Sequence, residues 1–280
     1  MAANHNRQKK IALINDYSGF GRCSVAVQFP IISAMRVQCC PIPTAIFSNH
    51  TGFPSFYHTD YTAHMSAYIE QWEKLALRFK GITTGFLGSS EQIGIVTDFI
   101  RRFRKEDTIV LVDPVMGDYG HTYPTYTEEM CREMTRLVSL ADIVTPNLTE
   151  ACILTGTPYR ESWHLAELYD LAKNVASLGA SKVVVTGIPQ GNFLCDLCLD
   201  KTAGAEERHL FKTRKIGESR SGTGDIFSAI LSADAVNGFP FDMSVKKASR
   251  FIKKCIQKAI EMDIPVTDGV PFEEVLAALT

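Results

Sequence analysis

Short apolar runs alternate with amphipathic stretches along this chain, and two of the runs, Ile109–Val112 and Val183, Val184 and Val185, are apolar at every position. Strands that lose water on both faces belong in a parallel sheet covered by helices on each side. The alternation predicts strands over residues 10–14, 37–47, 81–87, 108–112, 143–145, 182–186, 192–199 and 210–216. It predicts helices over 24–35, 60–79, 91–104, 127–140, 148–155, 162–178, 224–237, 244–261 and 272–279. The stretch 162–178 carries Leu165, Leu168, Tyr169, Ala172, Val175 and Ala176 on one stripe, with Ser162 as the expected N-cap and Gly179 as the stop. Strand–helix alternation implies βαβ units and an α/β fold. The runs 192–199 and 210–216 are joined by a short polar link and are expected to form an antiparallel hairpin in the C-terminal third. No repeat or linker divides the chain, so residues 1–280 are expected to form a single domain.

Charge narrows the partners. Lys plus Arg number 29 against 31 for Asp plus Glu, which leaves no global field to attract nucleic acid. No apolar run approaches bilayer length, so no membrane partner is expected. Arg7, Lys9 and Lys10 precede an apolar run too short for a signal-peptide core, and a cytoplasmic location is the expectation. The eight cysteines are scattered among apolar residues and read as reduced, buried thiols. Cys195 and Cys198 form one C-x-x-C on an expected strand, without the second pair or histidines of a zinc site.

Five segments could carry chemistry. Ser221-Gly222-Thr223-Gly224-Asp225 runs into an apolar helix. Glycines there let backbone N–H groups converge, and the helix start adds its positive dipole end, a pocket suited to phosphate. A carboxylate at such a pocket needs another task, and Asp225 is either a proton acceptor or a helix cap. Asp113 closes a buried strand and Asp118 follows five residues on; together they could help hold Mg²⁺, or Asp113 could simply form an Asx turn. Thr145-Pro146-Asn147 leads another strand end into a helix with Glu150 in its first turn, where the dipole alone would favour it. Phe47-Ser48-Asn49-His50-Thr51-Gly52 gathers polar side chains after an apolar strand, with His50 more at home as a structural histidine. The loop Asn15 to Ser24 holds Gly19 and Gly21 but lacks the third glycine of a dinucleotide fingerprint.

In this order, Asp-Pro-Val-Met-Gly-Asp at 113–118, Thr-Pro-Asn-Leu-Thr-Glu at 145–150 and Gly-Thr-Gly-Asp at 222–225 resemble the vitamin-kinase branch of the ribokinase-like superfamily. Phe-Ser-Asn-His-Thr-Gly at 47–52 is similar to pyridoxal kinases in particular. The resemblance implies a three-layer α/β/α sandwich around a mostly parallel sheet. It implies transfer of the ATP γ-phosphoryl group to the 5′-hydroxyl of pyridoxal, pyridoxamine or pyridoxine, with Mg²⁺ and with a monovalent cation left open. On this resemblance Asp225 is the base, and the amides of Gly222, Thr223 and Gly224 form the anion hole. Asp113 lies by the ATP phosphates, Thr145 and Glu150 lie near nucleotide and metal, Thr186 contacts nucleotide, and Tyr123 belongs to the loop over the phosphates. Asp113 and Glu150 form the metal side. Thr51 and Gly52 match substrate contacts. Many pyridoxal kinases carry Ser-His where this chain has Asn15 and Asp16, so the substrate contact passes to one of these, and Asp16 could pair with a protonated ring nitrogen. Arg214, Lys215 and Arg220 are expected at the surface. The resemblance also implies a homodimer. The Gly and Tyr content of residues 117–124 suits a loop that closes over phosphates, and whether it acts as a lid is left open by the sequence. The alternatives are a hydroxymethylpyrimidine kinase and a non-catalytic sensor on the same fold.

Overall fold

The computed structural model describes residues 4–202 and 206–280. In chain order the elements are β1 (Lys10–Ser18), α1 (Ser24–Ala34), β2 (Gln38–Phe47), β3 (His58–Asp60), α2 (Thr62–Lys74), β4 (Gly81–Thr84), α3 (Ser90–Phe103) and β5 (Ile109–Val112). There follow β6 (Gly117–Asp118), β7 (His121–Thr122), α4 (Glu128–Val138), β8 (Ile143–Val144), α5 (Leu148–Thr155) and α6 (Leu165–Ala176). The chain ends with β9 (Lys182–Gln190), β10 (Phe193–Asp200), β11 (Glu207–Arg214), α7 (Thr223–Asn237), α8 (Phe241–Glu261) and two 3-10 turns, Val266–Asp268 and Phe272–Leu279.

Nine strands form one sheet in the order β11-β10-β9-β8-β5-β4-β1-β2-β3. The pairs from β9 through β8, β5, β4 and β1 to β2 are parallel, as the two-sided apolar runs require. Alternate side chains feed two cores. Ala12, Ile14, Val110, Val112, Val183 and Val185 pack on the face with α3, α4, α5 and α6 residues. Ile11, Leu13, Leu111 and Val184 pack on the other, with α1, α7 and α8. The expected α/β/α layering is therefore present. Cys195 belongs to the first core and Cys198 to the second, so the C-x-x-C thiols point to opposite faces of the sheet. All eight cysteines are free.

Several expected boundaries are corrected. β1 continues to Ser18 because Tyr17 and Ser18 still pair with Ile46 and Phe47 after a register shift next to Asn15. Asn15 and Asp16 thus sit at an irregularity in a strand, not in a loop, and such irregularities re-aim side chains. The expected hairpin is β10–β11, but β9–β10 is also antiparallel, giving a three-stranded meander. β11 lies three residues earlier at its start than expected, because Asp200 pairs with Glu207 and Cys198 with His209; residues 203–205 of the link lie outside the described residues. β3 was not foreseen: it is a three-residue edge strand paired with β2. His164, not Ser162, caps α6, with Glu167 accepting its backbone N–H at 2.8 Å. Residues 272–279 wind as a 3-10 turn. Among the described residues, no helix is long and apolar enough to cross a membrane.

Candidate active site

The parallel strands β4, β5 and β8 end together, level with Ile14 of β1, and open α/β sheets bind ligands at such carboxyl ends. Asp113 and Thr145 are the first residues past β5 and β8. α7 points its N-terminus at the same place. Its N-cap, Gly222, has φ +80°, and a Cβ there would overlap the carbonyl oxygen of Arg22. Glycine is needed on both counts: the left-handed backbone and the close passage of the 22–24 segment. The first amides of the helix then remain free to face an anion.

Asp225, in the first turn of α7, is held at both oxygens. Asn15 Nδ2 donates to Oδ1 at 3.2 Å, and the backbone N–H of Ser24 donates to Oδ2 at 2.8 Å. Asn15 Nδ2 also donates to Gln28 Oε1 at 2.8 Å, while Asn15 Oδ1 accepts from the N–H groups of Asp16 at 2.9 Å and Phe86 at 2.8 Å. Two donations and two acceptances fill the capacity of an amide. Asn15 therefore fixes the carboxylate of Asp225 and has no hydrogen bond left for a substrate, which corrects one of the two expectations at this position. Gln28 Nε2 donates in turn to Ser228 Oγ at 2.9 Å, joining α1 to α7.

Asp16 is buried, and its oxygens accept from Ser24 Oγ at 2.6 Å and Ser18 Oγ at 3.0 Å. Ser24 thus bridges two carboxyl groups, its N–H on Asp225 and its hydroxyl on Asp16, from a left-handed backbone with φ +55°. Burial raises the pKa of Asp16, partly offset by the serine hydroxyls. Burial also pushes Asp225 up to about 7, with the charge of Asp16 adding to the rise and the Ser24 and Asn15 hydrogen bonds opposing it. A carboxyl near 7 is poised to take a proton at neutral pH.

Two further acidic residues lie nearby. Asp113 and Glu150 are buried, and burial holds both carboxyl groups well above the ordinary range; the charge of Asp225 adds to the rise at Asp113, and that of Asp113 to the rise at Glu150. Glu150 closes a capping box with Asn147 and accepts the Met116 N–H at 3.2 Å. Both its oxygens are taken by backbone N–H groups, at 2.8 Å for Asn147. Thr145 lies close enough to Asp113 to lower its pKa, yet the hydroxyls of Thr145 and Thr84 are buried with no aligned partner. The β6–β7 hairpin leans over these residues. Asn147 Nδ2 donates to the Gly117 carbonyl at 2.8 Å, and the Gly120 N–H donates to Thr149 Oγ1 at 2.9 Å. Tyr123 follows the hairpin, its hydroxyl pKa raised by burial and then by the charges of Glu150, Asp118, Asp113 and Asp225. Asp118 is exposed on the hairpin.

Among the described residues no three acidic, histidine or cysteine side chains converge as a closed metal cage. The residues nonetheless fit Mg²⁺, which keeps several waters and binds one or two carboxylates together with substrate phosphates. Asp113 offers its carboxylate beside the hydroxyls of Thr145 and Ser228, and Glu150 could act only through water.

Thr51 and Gly52 are exposed, and no side-chain hydrogen bond ties them to Asp225 or Asp113. His50 is structural: Nδ1 accepts the Gly52 N–H at 3.0 Å and Nε2–H donates to the Thr267 carbonyl at 2.7 Å. Thr186 sits one strand beyond the acidic pair, its N–H on the Pro146 carbonyl at 2.9 Å. Arg214 and Lys215 are exposed as expected, but Arg220 is not a surface residue. Its Nη1 donates to the carbonyls of Ile264 and Pro265 at 2.9 Å and Gly269 at 3.2 Å, pinning the C-terminal segment beside Gly222. Gln28, Ser228, Ser18 and Ser24 escaped the sequence analysis. A fully buried glutamine in the apolar run of α1 and a serine in that of α7 were the available signals.

The chain is similar to proteins of known family. Residues 31–267 match the family model described as phosphomethylpyrimidine kinase. A Bacteroides thetaiotaomicron protein classed with the phosphomethylpyrimidine kinases has a solved structure, in a crystal form with pyridoxal, that superposes with a TM-score of 0.93 at 35% identity, covering 98% of this chain and 96% of that one. A pyridoxine/pyridoxal/pyridoxamine kinase of Bordetella avium is 28% identical over 85% of this chain and 81% of its own. A hydroxymethylpyrimidine/phosphomethylpyrimidine kinase of Haemophilus influenzae is 33% identical over 64% of this chain and 65% of its own. The pyridoxal kinase of Lactobacillus plantarum shares the fold, with a TM-score of 0.88 over 98% of this chain and 96% of that one at 23% identity. Its sequence, its ribokinase-like architecture and the acidic pocket at the start of α7 together place this chain in the phosphomethylpyrimidine kinase family.

Proposed function

We propose that this kinase transfers the γ-phosphoryl group of ATP to the 5′-hydroxymethyl group of pyridoxal, pyridoxamine or pyridoxine. The observation that carries the reading is Asp225: a carboxylate with a pKa of about 7, aimed by Asn15 and Ser24, at the free amides of the α7 N-terminus. Phosphoryl transfer needs a positioned nucleophile and charge stabilisation more than covalent help from the protein. Asp225 accepts the proton of the attacking hydroxyl as the new O–P bond forms and the bond to the leaving ADP oxygen breaks. The amides at Gly222, Thr223 and Gly224 face the group in transit. Mg²⁺, when bound with ATP, would supply neutralisation of phosphate charge; Asp113 and Glu150 are the residues that would hold it, with Thr145, Thr186 and Tyr123 along the nucleotide. Asp16 is the residue left to meet the ring of the acceptor, and a protonated ring nitrogen is the group its carboxylate suits. Thr51 and Gly52 border the mouth of that side.

The B6 acceptor is supported by the pyridoxal-containing crystal form of the 35% identical relative and by the Bordetella kinase. A hydroxymethylpyrimidine acceptor is the second reading, favoured by the family model and the Haemophilus relative. Turnover of ATP with Mg²⁺, with pyridoxal, pyridoxamine, pyridoxine and hydroxymethylpyrimidine compared and products identified by mass, separates them. A higher kcat/KM for a B6 vitamer supports the first reading, and a higher value for the pyrimidine replaces it.

A further inference from the structure

One acidic side chain has no part in the reaction above. Asp196 lies at the centre of β10, opposite an irregularity in β9. Cys195 pairs with Ile188 and Leu197 with Val185, so Asp196 faces both Thr186 and Gly187 where a regular ladder would offer one residue. Gly187 takes the extra step with φ +66°. A Cβ at Gly187 would meet nothing within 4 Å, so space does not dictate glycine there; the left-handed backbone does.

Asp196 holds that step from two sides. Oδ1 accepts the Gly187 N–H at 3.1 Å, and Oδ2 accepts from Ser249 Oγ of α8 at 2.5 Å. The bulged residues continue into the site. The Thr186 N–H donates to the Pro146 carbonyl at 2.9 Å, and Thr186 bridges to Asn147. Asn147 caps α5, closes the box with Glu150 and holds Gly117 of the hairpin. Hydrogen bonds, linked by the Thr186–Gly187 peptide, therefore lead from α8 through Asp196 to the strand end that carries Asn147.

We infer that Asp196, anchored by Ser249, is a positioning residue for nucleotide: it holds Gly187 in the left-handed conformation that presents Thr186 to ATP. The inference rests on the ATP-dependent reading of the site. A carboxylate drawn half out of water needs hydrogen bonds in exchange, and here both point at the bulge and its anchor. Nothing in this run touches Asp225 or Asp16, so its effect belongs to ATP and not to the acceptor.

The test is a KM split with a rescue. Asp196→Ala is expected to raise KM for ATP about tenfold, the scale of one lost hydrogen bond to a charged group, with the KM of the acceptor changed less than twofold. Asp196→Asn is expected to restore most of the ATP affinity. Its Oδ1 can still accept from Gly187, and its amide can donate to Ser249 Oγ while that hydroxyl turns to the Val245 carbonyl, 2.9 Å away. Ser249→Ala, which leaves the Gly187 contact, is expected to fall between them. Direct titration with ATP by calorimetry accompanies the kinetics and covers any variant too unstable to assay. Wild-type protein that binds no ATP would overturn the nucleotide reading and this inference together. Wild-type binding with equal ATP affinity in all three variants, or equal losses for ATP and acceptor, would overturn the positioning role alone.

Discussion

Two aspartates lie close enough for the charge of one to raise the pKa of the other, and they are treated differently. Asp225 has an aligned donor on each oxygen, one from Asn15 and one from the Ser24 backbone. Asp113 is the more enclosed, yet the hydroxyl of its neighbour Thr145 is left unaligned. Both carboxyl groups sit above the ordinary aspartate value because burial disfavours charge. The difference lies in orientation. A group that must take a proton along one direction benefits from being fixed before the substrate arrives. A group that meets a hydrated cation benefits from unspent oxygens. On the proposed function the proton falls to Asp225 and the cation to Asp113, and each of these roles can be broken separately.

The largest effect is expected at the fixed acid. Asp225→Asn keeps the size of the side chain and loses the base, so kcat should fall about 10²- to 10⁴-fold while ATP binding, followed by calorimetry, stays near wild type. A kcat within a few-fold of wild type would remove Asp225 from the proton-accepting role. The next effect concerns how the acid is fixed. Gly222→Ala forces a Cβ into the Arg22 carbonyl and strains a left-handed backbone. The 22–24 segment must move, and the Ser24 N–H leaves Asp225 with it. A drop in kcat of about 10- to 100-fold is expected, about 1.4–2.7 kcal/mol of barrier, larger than the change in KM for ATP. Unchanged kcat in folded protein would show that the Ser24 contact does not aim the base.

Much of this pocket could be read in the chain before folding it. Asp113, Thr145, Glu150 and Asp225 each close a strand or open a helix, and such junctions follow from local pattern: Asp113 and Thr145 each end an apolar run just before a proline, Glu150 follows such a proline into a helix, and Asp225 stands between a glycine-rich loop and an apolar helix. The α/β layering followed for the same reason, because Ile109–Val112 and Val183 to Val185 leave no polar face. What could not be read was decided by partners far away in sequence. Asn15 serves Asp225 only because β1 and α7 meet across 210 residues. The extension of β1 to Ser18 depends on Ile46 and Phe47 of β2, not on its own residues. Arg220 became a structural pin because the carbonyls of Ile264, Pro265 and Gly269 converge on it. Charge in the sequence says that a side chain can pair, not with what.

A finer test uses the neighbour of the fixed acid. Asp16 contributes to raising Asp225, so Asp16→Asn should lower the pKa of Asp225 below its value of about 7. A base works when deprotonated, so the acidic limb of the kcat/KM profile should move to lower pH, with KM for the B6 acceptor raised more than KM for ATP. A limb that stays in place would detach Asp16 from the base.

The smallest effect is on stability, and it tests the unfixed acid. Asp113 binds its proton more tightly folded than unfolded, since its folded pKa is raised above the ordinary value of 3.8. Its contribution to stability is complete below about pH 4 and is lost as pH rises through the folded value. Asp113→Asn removes the titrating charge. The variant should gain a few degrees in Tm over wild type at pH 8, and the gain should vanish near pH 4. Mg²⁺ with ATP should erase the gain at pH 8, because the wild-type carboxylate then has a cation and the amide does not. Scanning calorimetry at both pH values, with and without Mg²⁺–ATP, reads all of this in one series. A gain at pH 8 that survives Mg²⁺–ATP would mean that Asp113 is strained for some purpose other than holding the metal, and the division of labour between the two aspartates would have to be redrawn.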